Sequence, residues 1–262
     1  MDYSFEEGLS EPYKSPSQKI RVMSEYWVRT QLYCPNCGHE KLEPYPNNNP
    51  AADFFCLVCS EDYELKSQKN RICPKLMDGA YGTMLSKLRA RTNPNLFSLI
   101  YDFQSLSVSN VFVVPKHFFV PDIIEKRKPL GPLARRAGWI GCNILIDRVP
   151  QAGRIFLIRD RITLPKIDVL GKWQKTLFLR NQQNIEAKGW LLSVLRCVER
   201  LQVRTFTLND VYAFEDELRA SYPGNRHVRA KIRQKLQVLR DRGFLEFIGN
   251  GTYRMIPTDS QA

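Results

Sequence analysis

Two cysteine pairs, CPNC at Cys34 and Cys37 and CLVC at Cys56 and Cys59, stand 18 residues apart, and no other feature of the sequence restricts the fold as much. A C-x-x-C turn lets two thiolates converge on one ion, and two such turns at this spacing form a four-thiolate zinc site when the intervening chain folds back on itself. Sulfur would fill all four tetrahedral positions, leaving none for water or substrate, so the expected zinc is structural. Cys73, Cys142 and Cys197 lack this spacing and read as ordinary buried cysteines, with His39 a reserve ligand. Seven cysteines are an odd number, and the acidic opening MDYSFEEGLSEPYKS is unlike a signal peptide, so a disulfide framework is the weaker reading. No run of about 20 apolar residues suggests a membrane span. The expectation is a cytoplasmic chain, a monomer in solution and away from membranes.

The second cysteine pair is threaded through charged residues. In YELKS alternate side chains share a face of a strand, which puts Glu64 and Lys66 on one side and Tyr63 and Leu65 on the other. Asp53 lies on the preceding β-prone run DFFC, where a hairpin return would set its carboxylate beside Glu64. Two carboxylates meeting at a strand pair offer hard oxygens to Mg2+, and the lysine can position or deprotonate a water next to it. This is the pattern of the PD-(D/E)XK nucleases, with one departure: Ala51 and Ala52 separate Pro50 from Asp53.

Around this core the periodicity predicts a helix over residues 17–31, with Ile20, Met23, Trp27 and Val28 on its apolar stripe. A second helix is expected over DGAYGTMLSKLRAR, and buried strands over NLFSLIYDF and NVFVVPKHFFV. The basic segment IEKRKPLGPLARRAGWIGC reads as a surface loop, and the polar NQQN as a linker. Strands alternating with helices define an α/β class for residues 1–182. From about residue 183 the pattern changes to helix, helix, helix and hairpin, the winged-helix order. AKGWLLSVLRCVERL supplies the first helix, and TLNDVYAFEDELRASY, with Thr207 or Asn209 as N-cap, supplies the second. NRHVRAKIRQKLQVLRDRG supplies the third, with Val228, Ile232, Leu236 and Leu239 inward and Gly243 as stop, and FLEFIGNGTYRMI folds back at GNG.

Taken in order, YCPNCG, ADFFCLVCSEDYELKS, DGAYGTM, RRAGWIGCNI, GRIFLI and QKLQVLRDRGFLEFIGNGTYRMI closely resemble the DpnI-type methyl-directed restriction endonucleases, over nearly the whole chain. The resemblance implies an α/β, mixed-sheet PD-(D/E)XK nuclease core with a zinc-binding four-cysteine insertion (1–182) and a winged-helix domain (183–262). It further implies double-strand cleavage of DNA at GATC when the adenine carries an N6-methyl group. Mapped onto this chain, Asp53 and Glu64 are the Mg2+ ligands, Lys66 is the catalytic lysine, and Cys34, Cys37, Cys56 and Cys59 hold zinc.

A formal net charge of +12 suits a polyanionic partner, which the resemblance implies is adenine-methylated duplex DNA. The outward face of the third helix in the C-terminal part presents Arg226, Arg229, Arg233, Gln234 and Gln237, side chains suited to the edges of guanine and adenine or to phosphate. Trp139, preceded by Arg135 and Arg136, would bring an aromatic wall for a methyl group and phosphate contacts into one loop. A competing class is a non-catalytic zinc-binding winged-helix regulator or modification reader, in which Glu64 and Lys66 form an inert surface pair. A repair nuclease acting on another DNA structure is a third. Cleavage of methylated against unmethylated plasmid with Mg2+ separates them.

Overall fold

The computed structural model describes residues 1–46, 52–182 and 184–256. Pro50 and Ala51, invoked in the spacing before Asp53, and the linker residue Gln183 lie outside the described residues. In chain order the first part holds α1 (Pro16–Gln31), β1 (Glu43–Pro44), β2 (Phe54–Phe55), β3 (Asp62–Lys69), β4 (Lys75–Ala80), α2 (Tyr81–Ala90), β5 (Asn95–Asp102) and β6 (Ser107–Val114). It continues with β7 (Ile124–Lys126), β8 (Gly141–Leu145), β9 (Ile155–Arg159), β10 (Ile162–Thr163) and α3 (Lys166–Thr176). Among the described residues seven strands form a sheet in the order β1-β2-β3-β5-β6-β9-β10. Within it β3 and β5 run parallel and the remaining neighbours antiparallel, so the sheet is mixed, as expected.

The apolar pattern of β5 explains its central place. Leu96 and Ile100 point to one side and Phe97, Leu99 and Tyr101 to the other, and all five are buried. The second side packs on Trp27 and Val28 of α1 and on Val169 and Trp173 of α3. The first packs on α2 and on a small antiparallel sheet of order β4-β8-β7. The segment expected to be helical from Asp78 therefore divides: Lys75–Ala80 is strand, and the helix starts at Tyr81. The ends of the predicted basic loop are likewise strands β7 and β8, while its middle, residues 127–140, is loop.

The C-terminal part contains α4 (Ile185–Arg200), β11 (Thr205–Thr207), α5 (Leu208–Tyr212), α6 (Glu215–Ser221), α7 (Val228–Asp241), β12 (Leu245–Gly249) and β13 (Thr252–Met255). Asn184 caps α4 by accepting the Ala187 N–H at 2.9 Å, and Thr207 and Asp210 form a capping box on α5. The second helix expected from the sequence is broken into α5 and α6 around Ala213 and Phe214. Gly249, Asn250 and Gly251 all take positive φ (115°, 48° and 70°), which the hairpin turn requires and which explains the GNG sequence. β11 adds a third strand beside β13.

This unit is docked on the mixed-sheet part. One apolar cluster runs from Leu96 and Phe112 of the sheet through Trp190 and Leu195 of α4 to Ile232 and Leu236 of α7. Phe178 meets Phe244 at 5.8 Å between ring centroids, and Glu199 of α4 accepts the Gln151 N–H at 2.8 Å.

Candidate active site and cysteine centre

The two cysteine turns are built alike. The Gly38 N–H donates to the Cys34 carbonyl at 2.8 Å and the Ser60 N–H to the Cys56 carbonyl at 2.9 Å, and both closing residues have positive φ (77° and 55°). The Sγ atoms of Cys34 and Cys59 lie 3.5 Å apart, as do those of Cys37 and Cys56, and all four fall within 4.8 Å of one another. Four sulfurs at about 2.3 Å from a tetrahedral zinc stand about 3.8 Å apart, so the cluster fits the ion. Burial pushes the Cys34 thiol well above its ordinary value, against the Tyr63 hydroxyl, 3.1 Å away, and the Cys37 and Asn36 N–H groups, which favour its thiolate. A divalent cation would hold such sulfurs deprotonated. His39 gives its carbonyl to the Cys34 N–H and takes no place among the sulfurs. Cys142 and Cys197 are buried elsewhere, and Cys73 is half-buried.

The same turn delivers Asp53. β2 pairs with β3 (Phe54 opposite Tyr63), the Asp53 N–H donates to the Tyr63 carbonyl at 3.0 Å, and Asp53 Oδ2 accepts the Leu65 N–H at 2.8 Å. The carboxylate is thereby tied to the strand that carries Glu64 and Lys66. Alternation on β3 holds as read: Tyr63 is fully buried and Leu65 packs on the core, while Glu64 and Lys66 face a cleft. Lys66 Nζ lies 2.5 Å from Glu64 Oε1 and 2.9 Å from Asp78 Oδ1. Asp78 comes from β4 of the small sheet and is 9% exposed. A cleft of about 340 Å3 is lined by Asp53, Glu64, Lys66 and Asp78 with Thr83 and Lys87 of α2, and a wider one of about 680 Å3 opens on the α1 side with Arg21 and Glu25.

Burial raises the Glu64 carboxyl above its usual range, opposed by Lys66 and reinforced by Asp78. Burial also disfavours charge on Asp78, but the Lys66 ammonium and the Gly79 N–H outweigh it and its carboxyl lies below the ordinary value. Lys66 is desolvated too, yet its two carboxylate neighbours hold its ammonium well above the ordinary lysine range. Lys66 is thus a quarter-exposed, doubly paired cation and not the exposed lysine that the strand pattern suggests. The hard oxygens of Asp53 and Glu64 border both clefts and suit Mg2+. Asp78 escapes the sequence reading because DGAYGTM reads there as the start of a helix; its signal is an acid held two residues before a turn that β4 must make into α2.

The remaining candidates lie on two surfaces. Arg135 and Arg136 are in the 127–140 loop and reach solvent, and Trp139 stands beside them, its ring so close to Gly141 that a Cβ there would fall 2.8 Å from it. On α7, Val228, Ile232, Leu236 and Leu239 face inward, while Arg233, Gln234 and Gln237 turn outward and Arg226 lies just before the helix. Arg229 differs from these, since its Nε is 2.6 Å from Glu215 Oε2 and its guanidinium lies over the Tyr212 ring.

A mixed-sheet core with two acids and a lysine in a cleft, a four-cysteine centre that can bind zinc, and a C-terminal helix-turn-helix define a two-part DNA-processing protein. Comparison with family models bears this out. The model described as DpnI, Dam-replacing family, matches residues 1–182, and that described as DpnI_C, Dam-replacing HTH domain, matches residues 186–255. The chain belongs to the DpnI family, a family of restriction nucleases, and its C-terminal helix-turn-helix is a DNA-binding module. Among the described residues no helix is long and apolar enough to cross a membrane.

Proposed function

We propose that this chain cuts both strands of duplex DNA at GATC sites carrying N6-methyladenine, by Mg2+-dependent phosphodiester hydrolysis. The observation that carries the nuclease chemistry is the convergence of Asp53, Glu64 and Lys66 on one cleft, in a chain of net charge +12 whose C-terminal module binds DNA. Residues 1–182 are assigned the chemistry and residues 183–262 a winged helix for target binding. Mg2+ held by Asp53 and Glu64 would supply a Lewis acid for the scissile phosphate and a more acidic bound water.

The protein's own groups do the rest. Asp53, fixed to the Leu65 N–H, keeps one carboxylate facing the cleft while Glu64 supplies a second from the neighbouring strand. Lys66 remains an ammonium and meets the negative charge that grows on the phosphoryl oxygens as the water attacks. Trp139 offers an apolar face to the methyl group, with Arg135 and Arg136 on adjacent phosphates. Arg226, Arg233, Gln234 and Gln237 address a major groove from α7, while Arg229 must first leave Glu215 to take part. The chain acts in the cytoplasm as a monomer on this reading.

Incubation with Mg2+ and one plasmid in adenine-methylated and unmethylated forms tests it. Linearisation of the methylated form only is expected. Equal cutting of both would refute the methyl requirement, and specific binding without cutting would favour a modification reader.

A further inference from the structure

The geometry points to Asp78 as a positioning residue that holds the Lys66 ammonium in place once Glu64 is engaged with the metal. This rests on the nuclease reading above. Lys66 has two carboxylate partners of different character. Glu64 sits two residues away on the same strand and is the one assigned to the cation, so its oxygens cannot be reserved for Lys66. Asp78 reaches Lys66 from another sheet and is the more buried of the two acids, 9% against 26% exposed. A lysine tip on a four-carbon stem is placed by what it touches, and a partner shared with the metal places it poorly.

The backbone that carries Asp78 is pinned to β8 before and after that residue. Met77 pairs with Asn143, Asp78 with Cys142 and Ala80 with Gly141, with a register shift between Asp78 and Ala80. The Gly79 N–H supports the Asp78 carboxylate, and the Cys142 thiol donates to the Gly79 carbonyl at 3.4 Å. The same strand pair joins Asp78 to the loop of Arg135, Arg136 and Trp139. That loop ends at Ile140, whose carbonyl accepts the Tyr81 N–H at 3.1 Å, immediately before β8. The residue that fixes the lysine therefore stands on the sheet that carries the candidate methyl-reading loop.

Asp78→Asn and Asp78→Glu, each compared with the parent for zinc content, melting, DNA binding and cleavage of methylated duplex over a Mg2+ titration, test this. Asp78→Asn should bind methylated duplex and zinc as the parent does and keep its KM, while kcat falls about a hundredfold, the loss that an ångström of misplacement produces. The Mg2+ concentration for half-maximal rate should not change, and Asp78→Glu, which keeps the charge, should recover part of kcat. A tenfold or greater rise in the Mg2+ requirement would make Asp78 a metal ligand and overturn the assignment. So would parental kcat in Asp78→Asn, or an Asp78→Glu variant that folds and cuts no better than Asp78→Asn. A parent that cuts no DNA overturns the nuclease reading and this one with it; a parent that cuts while Asp78→Asn cuts equally well overturns this one alone.

Discussion

Glu199→Gln should stabilise the protein at pH 8 and leave it unchanged near pH 4.5. Glu199 lies on α4 where that helix meets the 150s turn of the mixed-sheet part, and its carboxylate accepts the Gln151 N–H at 2.8 Å and the Ala152 N–H at 3.5 Å. Burial raises the carboxyl from 4.5 to about 7, against those two N–H groups and the charge of Arg154, all of which favour its ionised form. An acid whose pKa is higher folded than unfolded binds more protons in the folded state between those two values, so stability falls as pH rises through that window. Below about 4.5 both states carry the proton and nothing is lost. Above about 7 the full cost is present, on the order of 3–4 kcal/mol at about 1.4 kcal/mol per tenfold in proton affinity. Glutamine imitates the protonated acid, keeps one carbonyl acceptor for Gln151 and does not titrate. The assay is chemical denaturation of parent and variant from about pH 4.5 to about 8.5. The stability difference should open from near zero to a few kcal/mol, mostly between about pH 5 and about 7.5. Parallel curves with no divergence, or a variant that is less stable at pH 8, would refute the assignment of a strained carboxylate at this joint.

Lys66→Ala should reduce cleavage of methylated plasmid at least about a hundredfold while target binding persists, and it should also lower the melting temperature, because Glu64 and Asp78 lose the cation between them. Metal analysis of the parent should find one zinc per chain, and Cys59→Ser should abolish it and, since a structural site contributes about 10–16 kcal/mol, prevent stable folding of the first part; a folded, zinc-free variant would contradict it. Arg226→Ala with Arg233→Ala should weaken DNA binding across sequences and make the salt slope shallower by about one for each phosphate no longer neutralised, and an unchanged slope would remove both from the phosphate-binding set.

What the sequence showed and what it hid follow from the range of the interactions involved. α1, α7 and the GNG hairpin are specified by neighbours within a few residues, through Pro16 at the helix start, the inward stripe Val228, Ile232, Leu236 and the three positive-φ turn residues. β5 declares itself because both its faces are buried, making its apolar run continuous. β4 could not be seen. Of its six residues only Leu76 is buried, and its strand character comes from pairing with β8 more than sixty residues away. Asp78 was hidden with it. The division between α5 and α6 contains neither proline nor glycine; Phe214 sits there with the Arg200 guanidinium over its ring, a contact made across the fold. Arg229 looks equivalent to Arg233 on a helical projection, and the placement of Glu215 and Tyr212 distinguishes them.

The interleaving of sulfur and carboxylate limits how this stretch can change. Asp53 precedes Cys56 by three residues and Glu64 follows Cys59 by five, so each connection is a single turn or a few strand residues with both ends pinned. One residue added or removed between Asp53 and Lys66 would either rotate a carboxylate to the wrong face of β3 or draw a sulfur off its tetrahedron. The segment has no length to spare, and variation there must proceed by substitution alone, at positions such as Leu57 and Val58 that face solvent between the two cysteines.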